Sequence, residues 1–296
     1  MPNQTREISA LLKGIIFALS AFFLFTVMNT LGKLLTGIHN VIEIGFYRNL
    51  IGTVAVLTFI IITKKAHLFR VKKKKIVIIR SITGCIGLIV TFSAFQLLPL
   101  ANAQTLLFAT AFIIPVMGYF FLGESVGPYR WMAIFTGFIG VIMVTGPTST
   151  ISLIGLIMAL SAAFIHAVVG IMVRYLGRHD LPLTVTFYFL LIGLIITSTM
   201  MPWAGSMPTK SNLLLLLGIG ISGTGAQLCL AYAYTHLQAA LMGLLSYTGL
   251  VWAILFGWIF WDNLPSISII CGATIIIASN MFISVSYTHL TLPTKD

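Results

Sequence analysis

Charge is what this sequence has least of. Only 8% of its 296 residues are Asp, Glu, Lys or Arg, where a water-soluble domain carries roughly 25%, while 58% are hydrophobic and the mean hydropathy is +1.05. That deficit excludes an ordinary soluble fold and defines an integral membrane protein. Acidic residues are scarcer still, 6 against 17 Lys and Arg, so a site built on facing carboxylates has little to draw on. Cys85, Cys229 and Cys271 are the only cysteines and fall inside apolar segments without paired spacing. They exclude a disulfide framework or a cysteine metal cluster and read as small core residues. The strict alternation of apolar and polar residues that marks transmembrane β-strands is missing as well, which leaves a helical bundle.

What is present is a series of long apolar runs. The charge-free stretches from Ser81 to Gly123 and from Trp131 to Val173 are each about twice the roughly 20 residues that one spanning helix needs, so each holds two helices and a tight turn. The first run, Leu11 to Leu31, exceeds a signal-peptide core and lacks a small-residue cleavage pattern, and it reads as a retained helix. Ten spans result, at 11–34, 41–62, 76–96, 102–121, 127–146, 151–175, 183–202, 212–235, 239–260 and 266–284. Lys64, Lys65, Arg70 and Lys72 through Lys75 crowd one short loop, and the positive-inside rule makes that loop cytoplasmic. Arg6, Lys13, Arg80, Arg130, Arg174 and Arg178 then fall at inner ends, with both termini inside. The formal charge of +11 is thereby explained by topology, without a nucleic-acid partner, although a polybasic run beside a bilayer also attracts anionic lipid.

The chain repeats itself. Gly14, Ala18, Leu19, Ser20 and Ala21 match Gly155, Ala159, Leu160, Ser161 and Ala162 at an offset of 141, as do Phe46-Tyr47 and Phe187-Tyr188, Gly52 and Gly193, and Lys33 and Arg174. Farther on the offset becomes 138, which lays Leu98 over His236, Phe95 over Ala233 and Gly123-Glu124 over Trp261-Asp262. Two copies of five spans, 11–146 and 151–284, follow. Five is odd, so the second copy enters the membrane from the opposite side. The expected fold is therefore all-α, ten transmembrane helices as two inverted five-helix repeats, a plan that secondary transporters use with the solute held near the midplane. The tail 285–296 has no counterpart in the repeat. It is either a short cytoplasmic end or translated sequencing-adapter sequence, and we set it aside as artefactual.

One pattern in the first copy resembles a known family. Leu98-Pro99-Leu100-Ala101-Asn102-Ala103, then Gly123-Glu124, Arg130-Trp131 and Gly137-Phe138-Ile139-Gly140-Val141, is similar to the ten-span EamA-type members of the drug/metabolite transporter superfamily. The second copy departs from it, with Trp261-Asp262 for Gly-Glu and Ser266 through Ile269 for the basic-Trp pair. The resemblance covers residues 11–284 and implies movement of small metabolites across the bacterial inner membrane by alternating access.

Polar groups inside hydrocarbon are costly and face a cavity or a protein partner, which selects the candidate substrate-binding residues. Arg48 lies in the second span, where it either snorkels, pairs with Glu43, or binds a carboxylate or phosphate through its guanidinium fork. His166 sits mid-span in the sixth helix as either a core histidine satisfied by a carbonyl or a proton carrier. Gln104, Phe108, Ala111 and Pro115 share a face of the fourth span, and the repeat places Met242, Ser246, Gly249 and Ala253 in the ninth. Small residues there suit close helix packing, while Gln104 and Ser246 are positioned to line a cavity and Pro115 to kink its helix. Asn29, Tyr188, Gln227, Tyr247 and Trp252 complete the set, as either pocket lining or packing, with Tyr232 beside them.

No Asp or Glu sits at the midplane, which argues against a carboxylate-based proton or sodium site. The sequence contains no H-E-x-x-H motif, no nucleophile and base pair, and no G-x-x-x-x-G-K-[ST] loop, so the readings as intramembrane enzyme or ATP-driven pump lack support. The loops are too short to favour a scaffold. The expected protein is a secondary transporter of a small polar organic metabolite such as an amino acid, amine or cofactor-like molecule. It needs no cofactor or metal, and its partners are the small-molecule substrate and the lipid bilayer. Oligomeric state, direction and coupling ion leave no mark in the sequence.

Overall fold

The computed structural model describes residues 2–110, 112, 113, 116, 117, 128–145, 152–205, 208–237, 242 and 245–291. Among them are ten α-helices and no strand. They are α1 (Pro2–Leu35), α2 (Val41–Ile62), α3 (Lys74–Leu97), α4 (Leu100–Leu107), α5 (Pro128–Thr145), α6 (Leu153–Leu176), α7 (Pro182–Ala204), α8 (Lys210–His236), α9 (Thr248–Trp261) and α10 (Ile267–Thr291). Ala66–Phe69 forms a 3-10 turn in the basic loop. Six of the helices, α1, α2, α3, α6, α7 and α8, are long and apolar enough to cross a membrane, and Trp131–Met143, Thr248–Trp261 and Ile267–Ser279 are shorter apolar stretches. The protein is a multi-pass membrane protein.

Helix is the form an apolar chain takes where water cannot satisfy its backbone, because each N–H and C=O then bonds within its own segment. The ends are set by local chemistry. The Asn40 side chain accepts from the Ile42 N–H at 2.9 Å to start α2, Ser152 accepts from Gly155 N–H at 3.3 Å to start α6, and Pro182 opens α7 where its missing donor costs nothing. Asp262 ends α9 with a left-handed backbone, φ 52°. At the basic loop, Asp180 accepts from the backbone N–H groups of Lys72 and Lys73 at 2.6 and 3.3 Å, and Thr184 donates to Leu68 O at 2.8 Å. The loop is thus tied to the start of α7.

The principal pairings of helices are α1 with α8 and α3 with α6, α2 with α8 and α3 with α7, α1 with α9 and α4 with α6, and α2 with α3 and α7 with α8. Three more are α2 with α7, α4 with α9 and α5 with α10; α1 also meets α3 and α4, and α4 meets α3 and α5. Exchanging each helix with the one five places along turns the first eleven of these pairings into themselves, but not the contacts of α1 with α3 and α4 or of α4 with α3 and α5. Phe92, Phe95, Leu106, Phe112 and Ile134 are buried between the helices, whereas Leu12, Ile16, Ile62, Phe135, Leu214, Val251 and Ile267 stand more than half exposed, as a surface facing lipid rather than water would have them.

Several expectations change in detail. Cys85 is buried but Cys271 is exposed, so it lies on the bundle's surface and is not a core residue. The correspondence between α3 and α8 runs at 139: Leu98 and Leu237 end their helices with N–H bonds to Ala94 O and Ala233 O at 2.9 and 2.8 Å. The helix α10 continues to Thr291, into the tail. Ala111, Pro115 and Gly123-Glu124 lie outside the described residues, and with them the expected kink at Pro115.

Candidate functional site

The middle of the bundle is a polar cluster where α2, α3, α7 and α8 meet. Arg48 and Phe189 are each the eighth residue of their helices, related by the 141 offset, and they touch: the guanidinium carbon of Arg48 stands 5.0 Å from the Phe189 ring centroid. Arg80 of α3 reaches the same ring at 4.1 Å. At about 1.5 Å per residue, Arg48 leaves its helix about 10 Å from the end that faces away from the basic loop, and Arg80 about 9 Å from the basic-loop end. The two side chains therefore converge on Phe189 from opposite ends. Glycines make room for this. A Cβ at Gly84 would lie 2.9 Å from the Phe189 ring, and one at Gly223 would lie 3.0 Å from Arg48 Nε.

Both guanidiniums are buried, Arg48 at 1% and Arg80 at 3% exposure. Arg48 Nη1 donates to Asn49 Oδ1 at 2.9 Å and Arg80 Nη2 donates to Gln227 Oε1 at 3.2 Å. Arg48 Nε, Arg80 Nε and Nη1, Asn49 Nδ2 and the hydroxyls of Thr53 and Thr224 have no partner among the described residues. The described carboxylates are elsewhere. Glu43 pairs with His39 at 3.0 Å, Asp180 holds the basic loop, and Asp262 lies exposed past the end of α9. Arg48 therefore neither snorkels nor pairs with Glu43, and Arg80 is not a solvated inner-end charge. Sequence reading missed Arg80, Asn49, Phe189 and Thr224. The signal was helical spacing: Gly84, Gly87 and Thr91 follow Arg80 on one packed face, as Gly52 follows Arg48.

A second polar group joins α1, α4 and α9. Asn29 Nδ2 donates to Gln104 Oε1 at 3.4 Å, and the Gln104 amide lies beside Gly249. Both fourth helices break here. Phe108 and Ala109 form a turn after α4, and Tyr247 forms one before α9, 139 residues on. The two rings meet edge to face with centroids 5.1 Å apart. Threonine hydroxyls bridge the breaks to the first helix of each half. Thr110 donates to Leu107 O and Ala163 O at 2.6 and 3.0 Å, and Thr26 to Phe22 O and Gly249 O at 2.8 and 3.3 Å. Ser246 is half-buried beside the Tyr247 turn.

The remaining candidates lie apart from both groups. His166 Nε2 forms a hydrogen bond with Thr91 Oγ1 at 2.9 Å, and the same hydroxyl lies 2.7 Å from Gly87 O. The partner of His166 is thus a hydroxyl and not the expected carbonyl. Tyr188 donates to Phe69 O at 2.9 Å and fastens the basic loop, while Trp252 packs edge to face on Phe23 at 5.1 Å. At the ends of α1, α3 and α9 a recess of about 420 Å³ is lined by Lys33, Gln96, Pro99, Trp261 and Asn263, without either buried arginine. Lys33 Nζ caps α3 there, donating to Phe95 O and Leu98 O at 2.8 and 2.6 Å. Among the described residues no group of His, Cys, Asp and Glu is placed to hold a metal.

The class comes from the family and the relatives, which are transporters and not enzymes. The chain belongs to the EamA-like transporter family, which matches residues 12–146 and again 153–285. It is 27% identical over 275 residues to the pseudopaline exporter CntI of Pseudomonas aeruginosa (strain UCBPP-PA14), covering 92% of this chain and 95% of that one. Human solute carrier family 35 member G1 is 26% identical over 288 residues (90% and 78% covered), and the riboflavin transporter of Vibrio cholerae is 29% identical over 187 residues (63% of each). A solved crystal structure shares the fold with a TM-score of 0.67 at 18% identity, covering 96% of this chain and 99% of the other.

Proposed function

We propose that this chain is a secondary transporter that moves a small polar organic metabolite, such as an amino acid, an amine or a cofactor-like molecule, across the bacterial inner membrane by alternating access. Its ten spans form two five-helix repeats, 11–146 and 151–284, of opposite orientation, with both termini cytoplasmic. One observation carries the reading: the two fourth helices are broken at corresponding positions, and Phe108 and Tyr247 face each other across the breaks. Interrupted helices at a repeat interface are where transporters of inverted-repeat build hold their solute. Relatives named for pseudopaline and riboflavin support an organic, polar cargo. In this reading Asn29, Gln104, Ser246 and Tyr247 line one part of the path, and Arg48 and Gln227 the other. His166, Tyr188 and Trp252 are engaged by Thr91, Phe69 and Phe23 and hold the walls.

The test is flux. Purified protein in liposomes should move at least one member of a broad metabolite panel down its gradient, faster than protein-free vesicles do. Absence of flux across amino acids, polyamines, nucleosides and flavins in both directions counts against the proposal.

A further inference from the structure

Around the Phe189 ring, four buried nitrogen donors have no acceptor among the described residues: Arg48 Nε, Asn49 Nδ2, Arg80 Nε and Arg80 Nη1; the hydroxyls of Thr53 on α2 and Thr224 on α8 are likewise unpartnered. Two of the side chains are guanidiniums at 1% and 3% exposure, both within 5.0 Å of the centroid of one phenyl ring. A buried donor without an acceptor is costly, and a buried cation without an anion more so. Water can accept from these donors but brings no negative charge, so it leaves the two guanidiniums uncompensated. An oxyanion brings acceptors and negative charge together. Arginine is also the side chain whose planar array of N–H groups fits a carboxylate, and it holds its charge when buried. The Phe189 ring that both guanidiniums touch gives the same place an apolar wall.

We infer that Arg48 and Arg80, with Asn49 and Thr224, form the charge-reading part of the solute site, and that the solute is a small organic anion carrying at least one carboxylate. This rests on the reading of the chain as a transporter and narrows it, since a simple amine is repelled by two buried cations. The geometry also separates roles: the donors around Phe189 read charge, whereas Asn29 and Gln104, which offer amide groups only, read neutral polar parts of the molecule.

The experiment is binding in detergent, independent of flux. The thermal unfolding midpoint of the purified protein is measured against acetate, succinate, glutarate, citrate and glutamate, each beside its uncharged amide or methyl ester, with inorganic phosphate and sulfate at matched ionic strength. At least one carboxylate should raise the midpoint while its neutral counterpart does not. Its apparent Kd should weaken at least tenfold in Arg48→Gln and in Arg80→Gln, and less in the Lys variants. Equal stabilisation by acid and amide, or none by any carboxylate, overturns the inference on the wild-type protein alone, whether or not the variants fold. A response to inorganic phosphate and sulfate equal to that of the carboxylates overturns the assignment to an organic acid. Carboxylate binding without flux of any solute leaves the anion site standing and removes the transporter reading. Flux of a neutral solute without carboxylate binding does the reverse.

Discussion

Two like charges pressed against one ring should repel, and the structure sets the size of the effect. With guanidinium carbons 5.0 and 4.1 Å from the same centroid, Arg48 and Arg80 are at most about 9 Å apart. At an effective dielectric constant of about 20, two unit charges at that distance repel by about 1.8 kcal/mol, and by more if closer. Replacing either by Gln removes the whole of this repulsion. Each single substitution also gives up a cation–π contact of at most about 2 kcal/mol and a charged hydrogen bond of about 1.5–3 kcal/mol. Replacing the second arginine gives no further relief. The double variant Arg48→Gln/Arg80→Gln should therefore be destabilised by about 1.8 kcal/mol more than the two singles added together, well outside the roughly 0.5 kcal/mol within which independent sites add. Reversible unfolding by SDS in mixed micelles, followed by fluorescence of the five tryptophans, measures all four corners of the cycle. A double variant no worse than the sum would show that the arginines do not oppose each other, and the argument for a missing anion would fail with it.

Three further outcomes follow from other contacts. Gly140→Ala would place a Cβ 2.8 Å from Gly272 O, a backbone atom that no rotamer change moves, so α5 and α10 must separate and stability should fall by about 1–3 kcal/mol in the same assay. Thr91→Val leaves His166 Nε2 without its hydrogen-bond partner and should cost about 1–3 kcal/mol, most of which Thr91→Val/His166→Leu should recover; a transport pH profile unchanged in His166→Gln would confine that histidine to packing. Phe108→Ala forfeits an edge-to-face pair worth about 0.5–1.5 kcal/mol at the helix breaks, and should change the rate of flux more than solute binding in detergent, whereas Tyr247→Phe, which keeps the ring pair, should not.

The helices were legible because bilayer thickness converts directly into run length, and the internal repeat because the same glycines and small residues recur at a fixed offset in both family-matched segments. Arg48 was legible because a charge inside an apolar run is costly wherever it points. Arg80 was not. It stands one turn and a half into α3, where a solvated end and a buried cation look alike, and only its packing against Phe189 and Gln227 decides between them. The breaks at Phe108 and Tyr247 escaped for a related reason. Neither position carries the proline or glycine that announces an interruption, since the turns are stabilised by Thr110 and Thr26 bonding across to carbonyls of another helix or turn. Gln104 and Asn29 sit side by side although 75 positions separate them, which no local pattern could have revealed.

In the proposed two-repeat plan the 141 offset pairs Arg48 with Phe189, and the two touch. In an assembly of two identical five-helix chains, such an axial position would confront a residue with its own copy: arginine with arginine, or phenylalanine with phenylalanine. Joining both halves in one polypeptide lifts that restriction, because each side of the axis is then encoded separately. A cation resting on an aromatic face at the centre of the bundle is an arrangement that only unequal halves can make.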